Sequence, residues 1–300
     1  MTIVEKFRDQ LRQYYVFPEI AEKIDEILAE GIASGRYAVD SEAELAALVT
    51  ADAQRINGDK HLRLLHHEEE LPEPADESRA AQEAAFLAEM VGVAGRTASG
   101  MHRVERLDGN IAYLDIQPRL LPAAITAEVI TAAMTLIADA DSLIVDVRGC
   151  VGGEPAIVAH LLSYLFDDEE TPLTGIYERA TDSTRHWWTA AAVPGRRFGG
   201  AKPVYVLVGP KTFSGGEQVA YDLKVTGRAT LIGQATRGGA HPRIGLRLTP
   251  HLEASIPTAR AVHPLTGTNW EGVGVAPDVE VDADAAFETA LSLSLARSAS

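Results

Sequence analysis

The sequence predicts an α/β protein carrying a small helical domain at its N-terminus. Apolar residues recur at helical spacing through about residue 56, whereas beyond residue 100 short β-like runs alternate with helical ones. Two apolar runs there end in glycine-bearing turns, "SLIVDVRGCVGG" and "PVYVLVGPKTFSGG". At 300 residues and 46% hydrophobic content the chain can bury a full core, as one large domain with a smaller one attached.

Val4, Phe7, Leu11, Tyr14 and Tyr15, then Ile20, Ile24, Ile27 and Leu28, outline the first helices. In "DSEAELAALVTADAQRI" Ser41 stands three residues before Glu44, a capping-box spacing that opens a third helix. The helical domain is expected over residues 1–72. "HHEEELPEPADESRA" is acidic, proline-bearing and aperiodic, so a linker with one short helix near 82–92 is expected over 73–100. The core then spans 101–300: "NIAYLDI" and "SLIVDV" as strands, "AEVITAAMTLIADA" as the helix between them, "PVYVLVG" as a buried strand, and a helical "DAAFETALSLSLA" near the end.

Composition excludes several functions. A net charge of −16 repels a phosphate backbone and no basic stripe offsets it, so nucleic acid is not an expected partner. Cys150 is the only cysteine, which rules out an intrachain disulfide or zinc cluster; the residue reads as a small buried filler. No signal-peptide pattern opens the sequence and no apolar run reaches membrane-spanning length, so a cytoplasmic location is expected, with no metal or cofactor. A homo-oligomer is compatible with the sequence.

The stretch "TFSGGEQVAYDL" has three readings. Ser214 and Glu217 fit S-x-x-E ahead of a helix, which alone makes a capping box, with Glu217 in a structural task that glutamine would also serve. "SGGEQ" also resembles an ATPase signature, but the chain has no G-x-x-x-x-G-K-[ST] loop to hold phosphate. The third reading makes Ser214 a nucleophile at a helix N-terminus. The Gly215 amide would then be one oxyanion donor, and Gly152 or Gly153 the second, because parallel strands bring both turns to one edge of the sheet.

"LIVDVRGCVGG", "TFSGGEQVAYDL", "GRATLIGQATRGGAHP" and "NWEGVGVAPDVEV", in this order and spacing, resemble the C-terminal (tail-specific) processing peptidase family, in its branch related to interphotoreceptor retinoid-binding protein. "YYVFPE" and "GDKHLRL" extend the resemblance to the N-terminus. It implies a crotonase-like β/α spiral core bearing a serine peptidase site. Two departures narrow the mechanism. "TRGGA" carries Gly239 where the tail-specific subgroup has its lysine, which excludes a Ser–Lys pair, and the chain is too short between 72 and 100 for a PDZ module.

The resemblance implies His61, in the D-x-H of "GDKHLRL", as the base, and Glu271, in "NWEGVGV", as the acid that fixes the imidazole. His66 and His67 read as solvated. His102, His160, His186, His251 and His263 have no motif around them, and His241 reads as shaping a loop beside the site. A Ser214–His61–Glu271 endopeptidase acting on a peptide or protein substrate is therefore expected. The alternative is a non-catalytic binder of a retinoid, fatty acid or other apolar small molecule on the same fold.

Overall fold

The computed structural model describes residues 1–73 and 79–298. Its elements, in chain order, are α1 (Ile3–Tyr14), α2 (Pro18–Ala33), α3 (Glu42–Ala53), β1 (Arg63–His66), α4 (Arg79–Thr97), β2 (Met101–Leu107), β3 (Ile111–Ile116), α5 (Ala123–Ile137), β4 (Ser142–Asp146) and α6 (Pro155–Ser163). There follow β5 (Pro172–Glu178), β6 (Ser183–Trp188), β7 (Val204–Val208), α7 (Gly215–Val225), β8 (Thr230–Gly233), β9 (Arg243–Arg247), β10 (Leu252–Pro257), β11 (Ala259–Val262), β12 (Val279–Glu280) and α8 (Ala286–Ser298). They divide into two compact units, one of Met1–Ser78, Ile176–Arg185 and Gly239–Ala261, the other of Arg79–Gly175, His186–Gly238 and Val262–Ser300.

In the first unit, α1 opens on a reciprocal cap: the Glu5 N–H donates to Thr2 Oγ1 at 3.2 Å and the Thr2 N–H to Glu5 Oε2 at 2.6 Å. Ser41 Oγ accepts the Glu44 N–H at the start of α3, as the spacing predicts. Phe7, Leu11, Ile24, Leu28 and Val49 are fully buried and share one core with Leu252 and Ile256 of β10. β1 pairs antiparallel with β10, Leu64 opposite Ala254, and β10 pairs antiparallel with β9.

That pairing departs from the expected boundary at residue 72. A four-residue strand cannot satisfy its own backbone groups and must find an edge elsewhere. "RLLH" finds it in β10, so Gly239–Ala261, expected in the core, groups with the N-terminal helices. The start of the acidic stretch is bound to the same segment, since the His67 N–H donates to His251 O and the Leu71 N–H to Pro250 O. His67, expected to be solvated, has Nε2 3.1 Å from Glu253 Oε2. Residues 74–78 of the predicted linker lie outside the described residues, and its helix is longer than expected, running from Arg79 to Thr97.

The second unit is built on a six-stranded mixed sheet in the order β12-β8-β7-β4-β3-β2, with β2 antiparallel to β3 and the other neighbours parallel. β3, β4 and β7 are buried at every position. Central parallel strands covered on both faces need near-continuous apolar runs, which is why all three were visible in the sequence. α5 and α7 lie in the connections between parallel neighbours, β3 to β4 and β7 to β8. Ala286 and Ala290 of α8 pack on Tyr113, Ile144, Tyr205 and Leu207. β4 and β7 are adjacent with Asp146 opposite Leu207, so the turns that follow them emerge at the same edge.

Candidate active site

Ser214 closes the turn between β7 and α7 at φ 52°, ψ −117°. An ordinary N-cap residue is extended, whereas this conformation is one that residues with a Cβ rarely adopt. The turn is held from below: Thr212 Oγ1 donates to Val147 O at 2.9 Å and accepts the Gly209 N–H at 3.1 Å, and the Phe213 N–H donates to Cys150 O at 3.0 Å. The Arg237 guanidinium lies over the Phe213 ring, 4.8 Å from its centroid.

The two glycine turns meet backbone to backbone. A Cβ on Gly215 would come within 2.4 Å of Gly153 N, and one on Gly216 within 2.5 Å of Cys150 O. Side chains are therefore excluded at 215 and 216 by contact, not by helix propensity. Among the described residues no acceptor takes the N–H of Gly215, Gly152 or Gly153. The first amides of a helix are unpaired within it, and here they sit beside a second turn of free amides, the arrangement that can receive a developing oxyanion. Cys150 is fully buried, and burial pushes its thiol up to about 11, which makes it an inert filler.

Glu217 is buried without exposure. Its Oε2 accepts the Ser214 N–H at 2.8 Å, and its Oε1 accepts the Gly238 N–H at 2.6 Å and the Thr236 hydroxyl at 2.5 Å. Thr236 Oγ1 also accepts the Val275 N–H at 2.7 Å. One carboxylate thus ties the start of α7 to the "TRG" loop and, through Thr236, to the turn that carries Glu271. Gly274, at φ 73°, presses on the same loop, where a Cβ would meet Thr236 O at 2.2 Å.

Glu271 is half-buried in that turn, its N–H donating to Asn269 Oδ1 at 2.8 Å. Its neighbour Trp270 is buried against Tyr221 of α7, ring centroids 5.1 Å apart, and the Gly272 N–H donates to Gly238 O. Ser214, the oxyanion candidates and Glu271 therefore belong to the second unit.

His61 belongs to the first unit, in the segment leading into β1. Asp59, fully buried, accepts the His61 N–H through Oδ1 at 3.0 Å; its Oδ2 lies 2.7 Å from His241 Nδ1 and accepts the Tyr15 hydroxyl at 2.9 Å. The Tyr15 oxygen in turn accepts from Asn57 Nδ2 at 2.7 Å. Burial pushes the Asp59 carboxyl up, but the His241, Tyr15 and His61 hydrogen bonds outweigh it and hold the group below its ordinary value. Ser255 Oγ donates to His61 O, fixing the same stretch of backbone to β10. Asp59, Tyr15 and Asn57 were not singled out from the sequence. The available signal was the D-x-H spacing, since an aspartate two residues before a backbone N–H forms an Asx turn.

A strained serine at a strand-to-helix turn, with unpaired glycine amides packed against it, is an arrangement that can host a serine nucleophile. A family model described as Peptidase family S41 matches residues 110–281, more than half of the chain, and another, described as the N-terminal domain of peptidase S41 in eukaryotic IRBP, matches residues 1–92. The chain belongs to peptidase family S41.

Among solved structures, a putative peptidase from Parabacteroides merdae ATCC 43184 is 17% identical at a TM-score of 0.65, covering 98% of this chain and 96% of that one. The tricorn protease is 14% identical at a TM-score of 0.58, covering 99% of this chain and 36% of that one. The photosystem II C-terminal processing protease is 24% identical at a TM-score of 0.45, covering 59% of this chain and 45% of that one. The chain thus spans less than half the length of the last two, and the likenesses to the first two concern the fold. Among the described residues no helix is long and apolar enough to cross a membrane.

Proposed function

We propose that this chain is a serine endopeptidase in which Ser214 is the nucleophile, His61 the base and Glu271 the acid that orients it. The observation that carries the reading is Ser214 itself, held at φ 52° beside the paired glycine turns. Strain of this kind persists only where the surroundings over-determine it, and it clusters at sites of chemistry. His61 and Glu271 are assigned from the D-x-H and N-W-E-G segments.

In this mechanism neutral His61 takes the proton as Ser214 Oγ attacks the scissile carbonyl. The carbonyl oxygen becomes an oxyanion received by the N–H of Gly215 and that of Gly152 or Gly153. His61 then returns the proton to the leaving amine, and water, activated by the same base, hydrolyses the acyl-serine. Glu271 stabilises the imidazolium between these transfers.

A fluorophosphonate probe tests the reading. Labelling of the intact protein that disappears in Ser214→Ala and His61→Ala, together with cleavage of a peptide library by the intact protein alone, is expected. Saturable retinoid or fatty-acid binding with neither labelling nor cleavage would establish the binder instead.

A further inference from the structure

The main chain at His61 is held on both sides. Its N–H donates to Asp59 Oδ1 at 3.0 Å and its carbonyl accepts Ser255 Oγ at 2.6 Å. The residues that follow are tied to α3 and its cap, Gln54 Nε2 donating to Leu62 O at 3.0 Å and Thr50 Oγ1 both donating to Leu64 O and accepting the Leu64 N–H at 3.0 Å. Gly58, at φ 67°, turns the chain just ahead of Asp59, a conformation that favours glycine.

Among these anchors Asp59 is the one charged group, and it is fully buried. A buried carboxylate is tolerated only where donors meet it. Oδ2 receives two from distant parts of the unit, the Tyr15 hydroxyl at 2.9 Å and His241 Nδ1 at 2.7 Å. An ionised carboxylate only accepts, so His241 carries a proton on Nδ1, and the Tyr15 oxygen, already accepting from Asn57 Nδ2, turns its own hydrogen to Asp59. The His241 ring is braced in turn by Phe17, edge-on at 5.3 Å, and Phe17 has the Arg260 guanidinium 5.8 Å from its centroid. The α1–α2 connection that carries Tyr15 and Phe17 is pinned by the Val16 N–H, which donates to Pro257 O at 2.8 Å.

We infer that Asp59 is the positioning residue of the base: one oxygen fixes the main chain at His61, and the other ties that chain to Tyr15 and His241. The role rests on the peptidase reading, in which His61 takes the serine proton. With its N–H and C=O both engaged, His61 keeps only its side-chain torsions to set, and a displacement of about 1 Å in a reacting group costs about a hundredfold in rate. Holding the His61 N–H needs only one acceptor, which asparagine would also supply. The aspartate is required by Oδ2, where two donors converge and an amide would present its own N–H₂ to them. Being fully buried, Asp59 acts through the place it gives His61.

The test compares Asp59→Asn, Asp59→Ala and Tyr15→Phe with the native full chain, taking peptide-cleavage rates per folded molecule, with circular dichroism giving the folded fraction. Asp59→Ala is expected to lower kcat about a hundredfold and to leave KM within about twofold, because it moves the base and no substrate contact. Asp59→Asn keeps an acceptor for the His61 N–H and should retain about tenfold more activity than the alanine variant. Tyr15→Phe should lower kcat by a smaller factor, and adding it to Asp59→Asn should cost less than it does in the native chain, since the bond it removes is already disturbed. The His61 amide proton, followed by ¹H–¹⁵N NMR, should shift upfield in Asp59→Ala and stay near its native position in Asp59→Asn. A folded Asp59→Ala protein with native kcat, with its loss in KM, or with an unmoved His61 amide overturns the positioning role while the peptidase reading stands. If Asp59→Ala does not fold, the other two variants decide, and native kcat in both overturns the role. An intact protein that neither cleaves peptides nor takes fluorophosphonate overturns the peptidase reading and the role together.

Discussion

Gly215 faces Gly153 so closely that a β-carbon on the first would lie 2.6 Å from the α-carbon of the second. The atoms in the way are backbone, which cannot rotate aside. Gly215→Ala must therefore separate the two turns whose amides are proposed to form the oxyanion pocket. Turnover should fall by about a hundredfold or more, the scale of losing an oxyanion donor. Peptide cleavage and fluorophosphonate labelling rates measure it; an alanine variant with native rates would remove these turns from the mechanism.

Ser214 should separate stability from activity. Alanine and glycine both remove the hydroxyl, so both variants should be inactive, but only glycine relieves the backbone at φ 52°, ψ −117°. Ser214→Gly is expected to melt higher than Ser214→Ala, by a difference equivalent to about 1 kcal/mol. The Glu217 cap on the residue 214 N–H survives in both, since it uses the main chain. Thermal melts that rank the two variants in the opposite order would contradict the strain argument.

Glu217 and Glu271 should answer differently to the same change. The S-x-x-E pattern tolerates glutamine, yet the Glu217 carboxylate receives main-chain N–H donors on both oxygens, from Ser214 and from Gly238. A glutamine amide would set its own N–H₂ against one of them in a buried site. Glu217→Gln should lose about 1–3 kcal/mol of stability, the cost of an unsatisfied buried polar group. Glu271→Gln, in a half-buried turn, should leave the melting temperature nearly unchanged while turnover falls about a hundredfold, because an amide cannot stabilise an imidazolium as a carboxylate does. Chemical denaturation and steady-state rates on the pair distinguish the roles.

Asp222 predicts a stability that declines with pH. It is fully buried on α7, accepting the Thr174 N–H and hydroxyl through Oδ1, and His263 Nε2 stands 3.6 Å from the same oxygen. Burial raises the Asp222 carboxyl to about 7, and burial lowers His263, so both groups favour their neutral forms. The folded state holds the Asp222 proton more tightly than the unfolded chain, so its contribution is present below the ordinary carboxylate value and is lost as pH rises toward about 7. Asp222→Asn should therefore gain stability relative to the native protein between about pH 5 and pH 8. Melting temperatures of both proteins at the two values test this, and a constant difference would refute it.

The sequence by itself determined the α/β class, the central strands and the candidate residues. "IAYLDI", "SLIVD" and "VYVLV" are covered on both faces, and such strands are near-continuous apolar runs whatever their neighbours. Ser214, Gly215 and the 152–153 turn were legible because two apolar strands each end in glycine, and parallel order alone sends both turns to one edge. Tertiary structure decided the rest. β1 joins β10 because a short strand must take its hydrogen bonds wherever an edge is presented, and no periodicity within "RLLH" names a partner so far along the chain. Asp59 meets His241 and Tyr15, and Arg260 meets Phe17 and Tyr177, through the same long-range assembly. The strain at Ser214 is equally a tertiary product: "SGGE" is an ordinary cap in isolation, and the close packing of Gly215 and Gly216 on the backbone of Gly153 and Cys150, with the hydrogen bonds of Thr212, Phe213 and Glu217, holds the serine in a conformation it would not choose.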